Sequence, residues 1–472
     1  MTDYEVVIGL EIHVELKTKS KIFCSCPTDF GAAPNTQVCP VCLGLPGTLP
    51  VLNRQVVEYA VTAGLALDCE ISRYSKSDRK NYMYPDLPKA YQISQYDLPL
   101  CEHGHLTIDA GEGEKTIGIT RIHIEEDAGK LVHDPELGTL VDCNRCGVPL
   151  IEIVTEPDMR SAAEAVAFLE KLRATICYTG VSDCKMNEGS LRCDVNLSVR
   201  PRGESKLGTR TETKNLNSFQ SVKRAIEYET QRQIAAIEAG ESIVQETRRF
   251  DQNDGRTYSM RRKEDANDYR YFPDPDLAPI ILDESRIDAL RAALPVLPDQ
   301  RRRMYTERFG LTAFDAQLLT ERPDIAGWFE AAAVQTRYPK LLANLLITEG
   351  FRLLEADAVI PISQSSLAGL ADLFGDGKLN SSAAKRVFAE LWAQDGDPGE
   401  IVERLGLAKV SDEAALAEQV SAVIEACPAA VADYKRGKTK ALGAIMGQAM
   451  RATGGRADPD VLKKLILKAL ES

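Results

Sequence analysis

From Glu5 to Leu16 the chain alternates: Val6, Ile8, Leu10, Ile12, Val14 and Leu16 are apolar, and Gly9, Glu11, His13 and Glu15 fall between them. A period of two predicts a β-strand with one face in a core. Ile119–Asp127 repeats the pattern, with Arg121, His123, Glu125 and Asp127 on one side and Ile122, Ile124 and Glu126 on the other. Leu191–Val199 sets Leu191, Cys193, Val195, Leu197 and Val199 against Arg192, Asp194, Asn196 and Ser198. Thr209–Lys214 offers Arg210, Glu212 and Lys214 on one face. Before about residue 280, helical spacing is convincing only at roughly Ser161–Tyr178 and Ser218–Ile237. Beyond Pro295 and Pro298 the chain becomes Ala-, Leu- and Glu-rich helical segments, broken at Pro323, Pro361, Asp395–Pro398 and Pro428. The expected fold is therefore α+β: an antiparallel-sheet domain over 1–290, an all-α domain over 291–400, and a helical tail over 401–472.

Composition narrows the class. With 472 residues, 44% hydrophobic and 27% charged, the chain is ordinary globular material for two or three domains, not a disordered protein. No run of 18 apolar residues occurs, so no membrane helix is expected. The strand pattern starts at Tyr4, which predicts no signal or transit peptide and a soluble cytoplasmic protein. The 57 basic and 70 acidic residues leave a net charge of −13, against a non-specific nucleic-acid coat. The average hides an asymmetry: residues 429–472 hold nine Lys/Arg, among them Lys435, Lys438, Lys440 and Arg451, against four acidic residues. That tail, at +5, is where phosphates would be sought.

Twelve cysteines in a long chain without a leader point away from disulfides. Cys24-Ser-Cys26 and Cys39-Pro-Val-Cys42 have the spacing of two zinc knuckles, and predict a closed structural Zn²⁺ site pinning a polar loop. Free thiols are the alternative. Cys143-Asn-Arg-Cys146 is a lone pair with no second pair nearby in sequence.

The polar faces of the strands carry Glu, Asp, His and Arg where surface strands usually carry Thr, Lys and Ser. Joined into one sheet, they would present carboxylates interleaved with guanidiniums. Carboxylates with an imidazole are ligands for Mg²⁺ or Mn²⁺, and Mg²⁺ takes substrate phosphates as further ligands. No GxxxxGK[ST] loop is present, so a sheet-based metal–ATP site fits better than a P-loop. A metal-dependent hydrolase and a non-catalytic binding platform stay open on spacing alone. Two loops mix basic and aromatic residues: Arg79-Lys80-Asn-Tyr82-Met-Tyr84 and Arg261-Arg-Lys263 leading to Asp268-Tyr-Arg-Tyr271-Phe-Pro. Such loops can stack on bases and pair with phosphates.

Gly9-Leu-Glu-Ile-His-Val-Glu-Leu, Cys39-Pro-Val-Cys-Leu-Gly-Leu-Pro-Gly, Tyr84-Pro-Asp-Leu-Pro-Lys and Arg121-Ile-His-Ile-Glu-Glu-Asp-Ala-Gly-Lys occur in that order. Pro149-Leu-Ile-Glu-Ile-Val-Thr-Glu-Pro-Asp, Glu188-Gly-Ser-Leu-Arg-Cys-Asp-Val-Asn and Asp268-Tyr-Arg-Tyr-Phe-Pro follow. The set resembles the B subunits of bacterial aspartyl/glutamyl-tRNA amidotransferases, from the first strand to Lys438-Thr-Lys-Ala-Leu-Gly in the tail. The resemblance implies a cradle related to glutamine synthetase, then helical domains. It implies ATP-dependent phosphorylation of the side-chain carboxylate of Glu or Asp misattached to tRNA, then amidation by ammonia. It also implies two partners: an amidase, the A component, which supplies ammonia from glutamine, and a small C component that ties the two together as a heterotrimer.

On that resemblance, Glu11, His13 and Glu125 are expected to hold a metal ion, and Asp194 and Glu126 a second ion or its waters. Ser190 and Arg192 would contact phosphates or the acyl carboxylate. Arg79 and Lys80 would add positive charge at the nucleotide. Tyr82, Tyr84 and Tyr271 would stack the tRNA's terminal adenosine, and the basic tail would meet the tRNA body. Competing readings are a tRNA-binding scaffold whose chemistry lies in a partner, and a free-standing ligase of small amino acids.

Overall fold

The computed structural model describes residues 3–262, 269–355, 358–408, 413–436, 438, 440–453, 457 and 459–471. The chain divides into two compact units, Met1–Leu297 and Pro298–Ser472.

Among the described residues, sixteen strands form in the first unit. They are β1 (Tyr4–Glu15), β2 (Glu70–Ile71), β3 (Tyr74–Ser75), β4 (Asp78–Asn81), β5 (Tyr91–Ser94) and β6 (Cys101–Asp109). Next come β7 (Glu114–Glu126), β8 (Lys130–Asp134), β9 (Gly138–Asp142), β10 (Pro149–Thr155) and β11 (Leu191–Pro201). The last are β12 (Thr211–Leu216), β13 (Glu246–Asp251), β14 (Arg256–Arg262), β15 (Phe272–Pro273) and β16 (Ile280–Ile281). Nine of them make one sheet in the order β14-β13-β12-β11-β1-β10-β7-β6-β2, antiparallel except at β12–β13. The four alternating segments thus lie in one sheet, with β1 near its centre.

The apolar positions all turn to one side. Ile8, Leu10, Ile12 and Val14 of β1, Ile122 of β7 and Val195 and Leu197 of β11 are almost wholly buried. Helices α1 (Arg54–Ala66), α2 (Ala162–Thr179) and α3 (Phe219–Glu238) cover that side with Val56, Ala60, Phe168, Leu172, Val222 and Ala225. Asn53, Ser161 and Ser218 cap their first turns by accepting backbone N–H bonds. α2 and α3 match the periodicity. α1 was not signalled, because its Val56, Val57 and Val61 lower helix propensity and its buried side is too broad for a clean stripe.

On the polar side the small sheet β15-β4-β5 stands against β7 through β5. On the other side, α3 is tied to the sheet through Glu229. Its carboxylate accepts from Arg232, Thr211 Oγ1 at 3.0 Å and Thr257 Oγ1 at 2.9 Å, and Arg248 Nε lies 3.3 Å away. Glu229→Ala is expected to destabilise the first unit by about 2 kcal/mol, since buried donors lose their acceptor. Urea denaturation checks this, and an unchanged midpoint would rule it out.

The second unit is helical, and its described residues hold two separate apolar clusters. One gathers Tyr305, Phe329, Leu342 and Phe388 with their neighbours between 305 and 407. The other gathers Leu416, Val420, Ile445, Leu462 and Ile466. No helix among the described residues is long and apolar enough to cross a membrane.

Candidate active site

Sheet register assembles the polar face. Across β7, β10, β1 and β11, His123, Glu152, His13 and Arg192 are successive Cα partners. One step along β1, Glu11 faces Asp194 of β11, whose Asn196 in turn faces Glu212 of β12. Two donor sets result, His13–Glu125–Glu152 and Glu11–Asp194–Glu212, each with its ligand atoms within 4.8 Å of one another.

In the first set, His13 Nε2 lies 3.8 Å from Glu125 and 3.6 Å from Glu152. His123 Nε2 stands 3.3 Å and 3.2 Å from the same two carboxylates. Ser94 Oγ donates to Glu125 at 2.7 Å, and Gln92 Nε2 at 3.3 Å. Burial opposes a charge on His123, yet the hydrogen bonds to Glu125 and Glu152 lift its pKa to about 9. Burial likewise works to raise Glu125, but Lys80, His123 and His13 hold it well below the usual carboxylate range. In the second set, Lys214 Nζ lies 2.8 Å from Asp194 and 3.0 Å from Glu212, Thr247 Oγ1 donates to Glu212 at 2.8 Å, and Asn196 donates to Glu11 at 2.9 Å. Burial and the charges of Glu152 and Glu212 raise the Glu11 carboxyl. Both sets are therefore carboxylate pockets whose repulsion is offset by local cations.

The two basic–aromatic loops meet beside the first set. Phe272 pairs with Arg79 across β15 and β4, and Asn81 N–H donates to Tyr269 O at 2.9 Å. Tyr96 stacks on Tyr271 at 4.4 Å, and Tyr269 meets Tyr82 and Tyr271 edge to face at 5.8 and 6.1 Å. Lys80 Nζ lies 3.7 Å from Glu125 and 5.4 Å from the Tyr269 ring. Burial pushes the Tyr82 and Tyr271 hydroxyls up to about 12, so they stay neutral. Tyr84 is exposed and outside the ring cluster of the described residues. The side chains of Arg261 and Arg262, and residues Lys263 and Asp268, lie outside the described residues.

Several expected residues are placed elsewhere. Glu126 follows Glu125 on one strand, so alternation turns it to the opposite face. There it pairs with Lys89, accepts from Ile93 N–H at 2.8 Å and borders a cavity of about 160 Å³ beside Cys42. Ser190 closes the turn before β11: its Oγ accepts from Lys185 N–H and donates to Asp183, both at 2.7 Å. Arg79 is committed to Asp274 at 2.7 Å and Asp276 at 2.9 Å, on the other side of β4 from Lys80. These three belong to neither donor set. Arg192 stays at the rim, held by Asp127 at 2.7 Å, with Glu15 at 3.9 Å. Burial and Asp127 push the Glu15 carboxyl up to about 8.

Glu152 and Glu212 were not assigned from the sequence. Glu152 had a signal: it is the one charge inside the apolar run Leu150–Val154, at a strand position 8% exposed. Glu212 and His123 fall on the polar faces that alternation marks, with nothing local to signal their role.

The four cysteines Cys24, Cys26, Cys39 and Cys42 also converge, their sulfurs within 4.8 Å of one another. Cys39 N–H donates to Cys42 Sγ at 3.1 Å, and the wholly buried Lys21 brings its ammonium to 3.7 Å from that sulfur. Cys24's thiol hydrogen bond, the Cys39 N–H and Lys21 together lower Cys42 to about 4. Lys21 also donates to Cys143 O at 3.4 Å, so the turn bearing Cys143 and Cys146 backs onto this set.

Residues 6–288 match the family described as GatB/GatE catalytic domain, and residues 327–470 match the GatB domain that bears the Yqey name. The chain belongs to the GatB/GatE family. A protein of Caldicellulosiruptor saccharolyticus, named as the B subunit of an aspartyl/glutamyl-tRNA(Asn/Gln) amidotransferase, is 55% identical over 477 aligned positions covering 99% of each chain. Proteins of the same name from Agathobacter rectalis and Moorella thermoacetica are 54% and 53% identical, over 100% and 99% of this chain and 100% of each relative. The GatB/GatE catalytic match contains the whole polar face and all four clustered cysteines.

Proposed function

We propose that this chain is the carboxylate-activating subunit of a glutamine-dependent tRNA amidotransferase, a carbon–nitrogen ligase working in the cytoplasm. The observation that carries the reading is the pair of oxygen-rich donor sets on one face of a GatB/GatE catalytic domain. A carboxylate is a poor acceptor for ammonia, which explains the use of ATP. The γ-phosphoryl group passes to a side-chain oxygen of Glu or Asp misattached to tRNA(Gln) or tRNA(Asn), and ADP leaves. Ammonia then attacks the acyl carbon, phosphate departs with that oxygen, and the amide remains.

The donors fit hard divalent cations: each set offers carboxylate oxygens, and the first adds an imidazole. Mg²⁺ would be held by His13, Glu125 and Glu152, and by Glu11, Asp194 and Glu212, where it would neutralise phosphate charge. Around it the chain's own groups have separate tasks. Lys80 meets negative charge at the edge of the first set. Arg192, kept in place by Asp127, addresses the anionic end of the substrate at the rim. Tyr82 and Tyr271 offer faces for the terminal adenosine. Lys435, Lys438, Lys440 and Arg451 are all exposed in the helical tail and suit phosphates of the tRNA body. Ammonia comes from an amidase partner, with a small third chain completing a heterotrimer. The four clustered thiols hold a structural Zn²⁺.

A phosphorylation assay tests this. The assembled complex is given γ-labelled ATP and Glu-tRNA without glutamine or ammonia. Label is expected on the acyl-tRNA with the native chain, and absent with Glu11→Ala and Asp194→Ala. Label persisting in both variants would move the chemistry off this face.

A further inference from the structure

The two donor sets differ in how their negative charge is held. At the first set, Lys80 stands 3.7 Å from Glu125 and 5.4 Å from the Tyr269 ring, while His123 is sealed in the sheet. At the second, Lys214 reaches directly between two of the three ligands, 2.8 Å from Asp194 and 3.0 Å from Glu212. Its side chain is 42% exposed on a flexible four-carbon stem. The two carboxylates it pairs with are two of the three that a divalent ion there would need.

We propose that Lys214 is the resident counter-cation of the second set. It yields that place to a divalent ion only when a nucleotide phosphate offers its ammonium another partner. The inference rests on the metal-binding reading of this face. Without Lys214, three carboxylates within 4.8 Å would repel one another. With it in place, a divalent ion meets a like charge at contact distance and loses two ligands to hydrogen bonds. Phosphates arriving over the face reverse the balance, because they attract both cations at once. The second ion and the nucleotide therefore bind cooperatively.

The test uses the full chain, Mn²⁺ as probe, and the electron paramagnetic resonance signal of free Mn²⁺. The native chain is expected to take one ion tightly, and a second only with a non-hydrolysable ATP analogue. Lys214→Met is expected to take the second ion without nucleotide, roughly tenfold or more tighter than the native chain does. Adding Glu212→Gln to that variant should remove the gained site, which places it. A native chain that binds two ions equally well without nucleotide overturns the proposal, whatever the variant does. So does a folded Lys214→Met chain that still needs the analogue. No Mn²⁺ bound under either condition overturns the metal reading as well, which separates the two failures.

Discussion

Glu152→Gln is expected to lower ATP-dependent phosphorylation of Glu-tRNA by about a thousandfold, close to 4 kcal/mol in the barrier. The expectation follows from position. Glu152 is the only carboxylate of β10 on this face, flanked by His13 on β1 and His123 on β7. Its oxygen is 3.6 Å from His13 and 3.2 Å from His123, so it is both a donor of the first set and the group that orients two imidazoles. The neutral amide keeps the volume but removes the charge, and its NH₂ would face the two histidines or the ion. Mn²⁺ titration of the same variant should show the first ion weakened, with the fold intact by circular dichroism. Glu126→Gln is the contrast: its carboxylate lies on the opposite face against Lys89, so Mn²⁺ stoichiometry should not change. Equal Mn²⁺ affinity in native and Glu152→Gln chains would remove Glu152 from the ligand set.

That contrast also shows what the sequence could carry. Alternation in Glu5–Leu16, Ile119–Asp127 and Leu191–Val199 is a local property, and it predicted the strands and the faces of Glu11, His13, Glu125 and Asp194 correctly. Which strands become neighbours is not local. Glu152 joins His13 because β10 returns between β1 and β7, and Glu212 joins Glu11 because β12 lies beyond β11. Neither pairing leaves a mark on a single segment. Glu126 was assigned against its own strand's alternation, since two adjacent carboxylates cannot share one face. Ser190 and Arg79 were expected at the phosphates on the family resemblance, but turn closure holds Ser190 and ion pairs with Asp274 and Asp276 hold Arg79. The cysteine set was legible because both pairs sit on tight turns, where spacing alone brings sulfurs together.

Removing the Zn²⁺ proposed for that cysteine set is expected to lower the melting temperature of the full chain by roughly 10 °C. The loop from Lys19 to Leu52 contains no strand or helix among its residues, and exposes Phe30, Leu49 and Val51. It cannot be held by a core of its own. Ile22 and Phe23 tie its start to the core of the first unit; beyond them its anchors are the four thiols and the asparagines at its rim, where Asn35 donates to Val141 O at 3.0 Å and Asn144 to Ala33 O at 2.7 Å. Four thiolates around Zn²⁺ carry a net charge of −2, and the wholly buried Lys21 offsets part of it from 3.7 Å. The ammonium also donates to Gln37 O at 2.8 Å and Cys143 O at 3.4 Å, which leaves it facing the sulfurs. Native chain should therefore carry about one zinc by plasma mass spectrometry, and Cys39→Ser close to none. Lys21→Met should keep the four sulfurs yet bind zinc more weakly, because the thiolates lose their counter-charge. Unchanged melting in Cys39→Ser, or a native chain prepared without chelator and free of zinc, would leave four free thiols packed around a lysine.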